Sequence, residues 1–240
     1  MATFETQRDR DYVAGMESHL RRLDQPLTYI ANNFAKYVRR QKLTRFLVQH
    51  ELFKRVLEVT GSVIECGVFS GHGLMAWAQL SAILEPVGYQ RRIYGFDTFE
   101  GFPHVSPKDE KGVQVGDLKD DCYEELQECI RLFDRNRFIN HIPKVQTIKG
   151  DFCQTGPQFL QDNPQLLVAL LYLDFDLYEP TKKALELFLA RMPKGAIIAF
   201  DEIRDPGWPG ETLAMLECIN IRNVTIRKFP YEPNIAFIRL

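Results

Sequence analysis

Short strand-like runs, most of them apolar, recur from residue 63 onward, and five of them end on an acid. Val63 and Ile64 lead to Glu65, and Ile93, Tyr94, Gly95 and Phe96 lead to Asp97. Residues 145–149 lead to Gly150 and Asp151, residues 166–173 to Asp174-Phe175-Asp176, and residues 196–200 to Asp201-Glu202. Between these runs the apolar positions fall at spacings of three and four, over 74–84 and again at Ala184, Leu185, Phe188 and Leu189 behind Glu179-Pro180-Thr181. Runs that alternate with helical stretches predict a doubly wound, mostly parallel sheet, and the near-continuous apolar run 166–173 suits a strand covered on both faces.

Two further runs, 224–229 and 235–240, are joined through Tyr231-Glu232-Pro233-Asn234, with Pro230 before it. So short a connection permits only an antiparallel hairpin. The expected fold is therefore α/β, with a seven-stranded sheet that closes on this hairpin. Residues 27–59 carry helical apolar spacing, interleaved with Arg39, Arg40, Lys42 and Arg45, and predict an N-terminal helical extension over 1–60 ahead of a main domain over 61–240. Residues 1–26 read as a loose polar arm with a turn or two of helix. The apolar face of 27–59 exceeds what one sheet must cover, which predicts a homo-oligomer. The stretch of about 103–123, acid-rich and broken by Gly112 and Gly116, reads as a lid or binding loop.

In a sheet of this kind ligands bind outside the carboxyl ends of the strands, where the five acidic endings collect. The first ending continues as Cys66-Gly67-Val68-Phe69-Ser70-Gly71-His72-Gly73 and opens onto a helix. Glycines there let a ligand approach the backbone, and the helix start offers unpaired N–H groups. A nicotinamide site would show G-x-G-x-x-G with an acid about 20 residues further on. Here the spacing is G-x-x-x-G-x-G, and Glu65 and Asp97 stand 32 residues apart (97 − 65). These departures and the terminal hairpin suit S-adenosylmethionine better.

Composition narrows the partners. In 240 residues Lys plus Arg number 30 against 32 for Asp plus Glu, a formal charge of -2, so no global field recruits nucleic acid or an anionic membrane. No apolar run reaches the roughly 18 residues a membrane span needs. The five cysteines are odd in number and form no C-x-x-C pair, and the N-terminus lacks a signal-peptide layout, so a reduced, cytoplasmic protein acting on a small molecule is expected.

The segments Tyr94-Gly95-Phe96-Asp97-Thr98-Phe99-Glu100-Gly101-Phe102-Pro103 and Leu173-Asp174-Phe175-Asp176-Leu177-Tyr178-Glu179-Pro180-Thr181 closely resemble the macrocin-type sugar O-methyltransferases, the TylF/NovP/MycF family. The resemblance covers about residue 61 to the C-terminus. It implies a class I, Rossmann-like methyltransferase fold and Mg²⁺-dependent methyl transfer from S-adenosylmethionine to a hydroxyl, typically of a deoxysugar in natural-product or glycan tailoring. Residue by residue, it implies Asp174, Asp201 and Glu202 as metal ligands and Asp176 as general base. It places Glu65, Gly67, Gly71, Asp97 and Thr98 around the methyl donor, with Asp151 and Phe152 beside adenine. Glu202 stands where the family commonly has Asp, one methylene shorter. His104, just after the Phe102-Pro103 turn, is an alternative base. Phe175 reads as core packing, and Trp208 either covers the acceptor or pins its loop. A catechol-type metal-dependent enzyme and a non-catalytic S-adenosylmethionine-binding protein are the rival readings.

Overall fold

A computed structural model describes residues 6–240, which fall into two compact units that divide between Arg45 and Phe46. In the first, α1 (Gln7–Arg21) replaces the expected loose arm over the described part of 1–26. Thr6 starts it with a reciprocal cap: the Thr6 amide donates to Asp9 Oδ2 at 2.9 Å, and the Asp9 amide donates to Thr6 Oγ1 at 3.4 Å. Such a cap satisfies amides that no helical carbonyl reaches, and stabilises a helix that the apolar pattern alone does not predict. Residues 1–5 lie outside the described residues. α2 (Leu27–Asn32) and a 3-10 turn at Phe34–Lys36 follow.

α3 (Arg40–Arg55) straddles the division. Its buried Val48, Leu52 and Phe53 join the main core together with Val56 and Val59. The second unit therefore begins at Phe46, inside a helix, rather than at the glycine-flanked start of the first strand.

From there strands and helices alternate as β1 (Ser62–Cys66), α4 (His72–Leu84), β2 (Ile93–Asp97), α5 (Tyr123–Arg135), β3 (Val145–Lys149), α6 (Phe152–Asp162), β4 (Val168–Leu173), α7 (Tyr178–Phe188), β5 (Ile197–Phe200), α8 (Pro209–Cys218), β6 (Arg227–Phe229) and β7 (Glu232–Arg239). They build one seven-stranded sheet in the order β3-β2-β1-β4-β5-β7-β6. All neighbours pair in parallel except at β7, which is antiparallel to both β5 and β6, the expected terminal hairpin. Every residue of β1, β4 and β5 is buried, as the unbroken apolar runs of β4 and β5 require of strands covered on both faces, and in β1 the burial extends to Ser62 and Glu65.

The chain order reverses between β1 and β4, and there the strand ends are tied in register. The Asp174 amide donates to the Cys66 carbonyl at 2.8 Å, the Asp201 amide to the Leu173 carbonyl at 3.0 Å, and the Gly67 amide to the Phe96 carbonyl at 2.9 Å. The acidic endings of β1, β2, β4 and β5 thus stand in a row along one edge. Underneath, Phe96 meets Phe152 and Phe159 edge-on at 5.1 Å each, and Phe175 packs on Phe152 at 5.0 Å, so Phe175 is core packing as expected. Among the described residues no helix is long and apolar enough to cross a membrane, and all five cysteines are free.

Candidate active site

The glycine turn after β1 is built for close approach. Gly67 has φ +92°, and a Cβ on it would lie 1.9 Å from the Asp174 carbonyl oxygen, so β1 and β4 abut here only because the side chain is absent. Gly71, at φ +85°, starts α4 without a side-chain cap, which leaves the first amides of the helix facing the strand edge. Asp97 fixes the turn between them: its Oδ2 accepts from the Val68 and Phe69 amides at 2.8 Å each, and its Oδ1 from the Phe99 amide at 2.6 Å. A carboxylate offers about four acceptor positions, so Asp97 organises the turn and retains capacity for a ligand hydroxyl. Thr98 closes the next turn, its hydroxyl donating to the Gly101 carbonyl at 2.6 Å.

Glu65 lies lower, 2% exposed, beneath the first turn of α4. A Cβ on Gly73 would stand 2.1 Å from Glu65 Oε1, so the carboxylate is set against that helix start, where the dipole favours negative charge. Asp151 caps α6 by accepting from the Cys153 amide at 2.9 Å. Phe152 is 3% exposed and enclosed by aromatic neighbours. His104 sits between two acids, with Nε2 3.0 Å from Glu179 Oε2 and Nδ1 3.9 Å from Asp151 Oδ2.

The acids that converge are Asp174, Asp176 and Glu211, whose nearest carboxylate oxygens all lie within 4.8 Å of one another. Asp176 is turned into this group by a left-handed backbone at φ +62°. Asp201 is buried beside it, 3% exposed, and accepts a short hydrogen bond from the Tyr172 hydroxyl. Neither Asp201 nor Glu202 belongs to the three-acid group. Glu202 instead offers its amide to Glu211 Oε2 at 3.2 Å.

The sequence reading did not single out Glu211. As an acid in the first turn of a helix that Pro209 starts, it looks like an ordinary dipole partner. Its position is set by Gly210, where a Cβ would meet the Tyr178 amide nitrogen at 2.5 Å and Asp109 Oδ1 at 2.7 Å. Without a side chain there, the start of α8 presses against the start of α7 and delivers Glu211 fully buried at the strand edge. Burial first, and then the charges of Asp174, Asp176 and Asp201, push the Glu211 carboxyl well above the usual carboxylate range.

Strain collects along the same edge. Phe69, Phe99, Asp176 and Arg204, none of them glycine, hold positive φ just after β1, β2, β4 and β5. Each such residue costs about 1–3 kcal/mol and persists only where the surroundings fix it.

The expected lid, residues 103–123, is irregular up to the start of α5 but anchored. Asp109 Oδ2 accepts from the Ser106 amide and Oδ1 from the Tyr178 amide, both at 2.7 Å. Lys108 reaches the Tyr178 hydroxyl at 2.8 Å and Glu217 at 2.5 Å, and hydrogen bonds to Glu217 from Lys108, from the Tyr178 hydroxyl at 2.6 Å and from Lys182 hold its carboxyl down to about 2. Phe102 and Trp208, from facing loops, meet edge-on at 6.2 Å.

Residues 9–216 match the model of the macrocin-O-methyltransferase (TylF) family. The chain belongs to that family. Members of the TylF family are O-methyltransferases that use S-adenosylmethionine. The chain is 33% identical to the calicheamicin methyltransferase CalS11 across 99% of its own length and 94% of that chain, with a TM-score of 0.94. The apo form of the same enzyme, described as a TDP-rhamnose 3'-O-methyltransferase of calicheamicin biosynthesis, matches at 32% identity and a TM-score of 0.87 over 99% of this chain and 96% of that one. A Streptomyces olivaceus enzyme, the 8-demethyl-8-(2,3-dimethoxy-alpha-L-rhamnosyl)-tetracenomycin-C 4'-O-methyltransferase, is 27% identical over 148 residues, which is 60% of this chain and about half (53%) of that protein. NovP shares the fold at 19% identity and a TM-score of 0.59, covering 81% of this chain and 78% of that one.

Proposed function

We propose that this TylF-family chain transfers a methyl group from S-adenosylmethionine to a hydroxyl of a deoxysugar, free or carried on a nucleotide or natural product, with Mg²⁺ as its metal. The observation that carries the reading is the abutment of Gly67 on Asp174, which sets the glycine turn directly beside the converging acids. A donor seated on the turn is then adjacent to a site of hard carboxylate oxygens, the chemistry that suits Mg²⁺. The buried Glu211 carboxylate, with an oxygen that has no hydrogen-bond partner among the described residues, also fits a cation there. The rhamnose named for CalS11 and for the Streptomyces olivaceus enzyme supports a deoxysugar acceptor.

The roles divide by position. Gly67, Gly71 and the turn that Asp97 holds seat the donor, with Asp97 and Thr98 placed for its ribose and Asp151 near adenine. Asp174 would hold the metal, with Asp201 buried beside that group and bonded to the Tyr172 hydroxyl. Asp176, turned toward Asp174, takes the acceptor hydroxyl proton. An alcohol is a poor nucleophile at neutral pH, and a divalent cation supplies the Lewis acidity that makes its proton easier to remove. The methyl transfer itself then depends on in-line placement. Phe102 and Trp208 offer an aromatic wall for the acceptor, and the loop that Asp109 anchors closes over it.

The test is an acceptor panel with labelled donor: a thymidine-diphosphate deoxyhexose, the free deoxyhexose, a catechol, and no acceptor. Label on the sugars supports the reading. Transfer to the catechol alone points to the rival enzyme, and donor binding without transfer to any acceptor points to a non-catalytic protein. We also propose self-association through the apolar side chains exposed on the N-terminal helices, Leu27, Phe34, Phe46 and Leu47. Sedimentation as a monomer at micromolar concentration overturns it.

A further inference from the structure

Resting on the metal-dependent reading above, we infer that Glu211, supplied by the Pro209-Gly210-Glu211 start of α8, is a direct carboxylate ligand of the divalent cation, in the place that the sequence pattern reserves for Glu202.

Three observations converge on this. Glu211 belongs with Asp174 and Asp176 to the group of acids whose ligand oxygens lie within 4.8 Å of one another, and Glu202 does not. Glu211 is completely buried, and while its Oε2 accepts the Glu202 amide at 3.2 Å, its Oε1 has no hydrogen-bond partner among the described residues. A buried carboxylate oxygen without a donor costs free energy that a cation at the same spot recovers. Third, the backbone is shaped to deliver it. Gly210 admits the approach of α8 to α7, and the Glu202 amide and the bond from the Arg204 amide to Thr212 Oγ1 at 2.9 Å fold the loop after β5 over that helix start. In this arrangement the main chain of Glu202 orients the ligand, and its side chain is not needed in the coordination sphere. The longer side chain of Glu202 at a position where the family commonly has Asp is then tolerated because another residue completes the set.

The test is direct metal binding to the full-length protein, read by Mn²⁺ electron paramagnetic resonance and by Mg²⁺ calorimetry, alongside S-adenosylhomocysteine binding and melting temperature. Glu211→Gln keeps the side-chain size and the acceptor for the Glu202 amide, and is expected to weaken Mn²⁺ binding roughly 100-fold, at or beyond the range found for groups that only orient ligands. Glu202→Gln is expected to weaken it less than about tenfold, and both variants retain S-adenosylhomocysteine binding. Should Glu211→Gln fail to fold, Glu211→Asp, which keeps the charge and shortens the arm, is expected to bind Mn²⁺ at least about tenfold more weakly. Wild-type affinity in the folded Glu211 variant, or a loss confined to Glu202→Gln, overturns the inference while Asp174→Asn still abolishes binding. Failure of the wild-type protein to bind either ion at millimolar concentration overturns both the inference and the metal-dependent reading.

Discussion

Replacing Gly67 by alanine tests the junction on which the site is built. The new Cβ would lie 1.9 Å from the Asp174 carbonyl oxygen, and ordinary van der Waals contact begins at 3.4 Å, so β1 and β4 must part by about 1.5 Å at their ends. The obstacle is backbone, which no rotamer change relieves. An opening of that size breaks the 2.8 Å bond from the Asp174 amide to the Cys66 carbonyl. A lost hydrogen bond costs about 1 kcal/mol, a left-handed alanine about 1–2 kcal/mol, and overpacking about 1–3 kcal/mol. The expected loss is about 3–6 kcal/mol, which corresponds to a fall in Tm of roughly 6–24 °C for a domain of this size. Because the same movement carries Asp174 away from the glycine turn, S-adenosylhomocysteine affinity falls with stability. Gly15→Ala is the control: it lies in α1 with nothing within 4 Å of the added methyl, and is expected to be neutral or stabilising by up to about 1 kcal/mol. The measurements are thermal melts by circular dichroism and calorimetry with S-adenosylhomocysteine. A Gly67→Ala protein that melts with the wild type and binds the ligand as tightly refutes the reasoning.

Other outcomes follow from the same geometry. Asp109→Ala removes the acceptor for the Ser106 and Tyr178 amides, costs about 3–6 kcal/mol of loop anchoring at the magnitudes of charged hydrogen bonds, and is expected to speed tryptic cleavage at Lys108, Lys111 and Lys119 while raising the acceptor KM. Asp176→Asn is expected to lower kcat by roughly 10²–10⁴-fold, whereas His104→Gln, whose ring faces Glu179 and Asp151, is expected to lower it by less than about tenfold; steady-state kinetics on the two variants separate the candidate bases. Glu211 also sets a pH dependence for the metal-free protein. Its carboxyl is raised in the fold, so above the ordinary value of 4.5 the native state holds the proton more tightly than the unfolded chain does, and stability falls as pH rises toward the raised value. Melts across pH in chelator are expected to show Glu211→Gln more stable than wild type at neutral pH, a difference that closes as pH falls toward 4.5.

The row of acids at the strand ends and the terminal hairpin were legible because both are local. A buried apolar strand that ends in an acid reads the same from sequence as in the sheet, and a connection as short as that between β6 and β7 fixes an antiparallel pair. Three helices were not legible from the reading of apolar runs. α5 carries Leu126, Ile130 and Phe133 on one buried face, but its first turn continues the acid-rich loop and hides the boundary. α6 contains Gly156 and Pro157, which argue against a helix locally and are overridden by the aromatic core beneath Phe152 and Phe159. α1 has its signal in the Thr6–Asp9 cap rather than in an apolar stripe, since none of its residues is buried. Glu211 was hidden for another reason. Its role depends on the approach of α8 to α7 at Gly210, a tertiary contact that no spacing along the chain encodes. The left-handed turns at Phe69, Phe99 and Arg204 are invisible in the same way, because side-chain identity alone argues against them.

The most direct measurement is single-turnover methyl transfer from labelled S-adenosylmethionine to a thymidine-diphosphate deoxyhexose, with the protein stripped by chelator and then restored with Mg²⁺. If the acids around Asp174 form a metal-assisted site, transfer is lost on stripping and returns with Mg²⁺, and Asp174→Asn stays inactive in both states while still binding S-adenosylhomocysteine. Undiminished transfer in chelator, or an Asp174→Asn protein as active as wild type, contradicts that assignment.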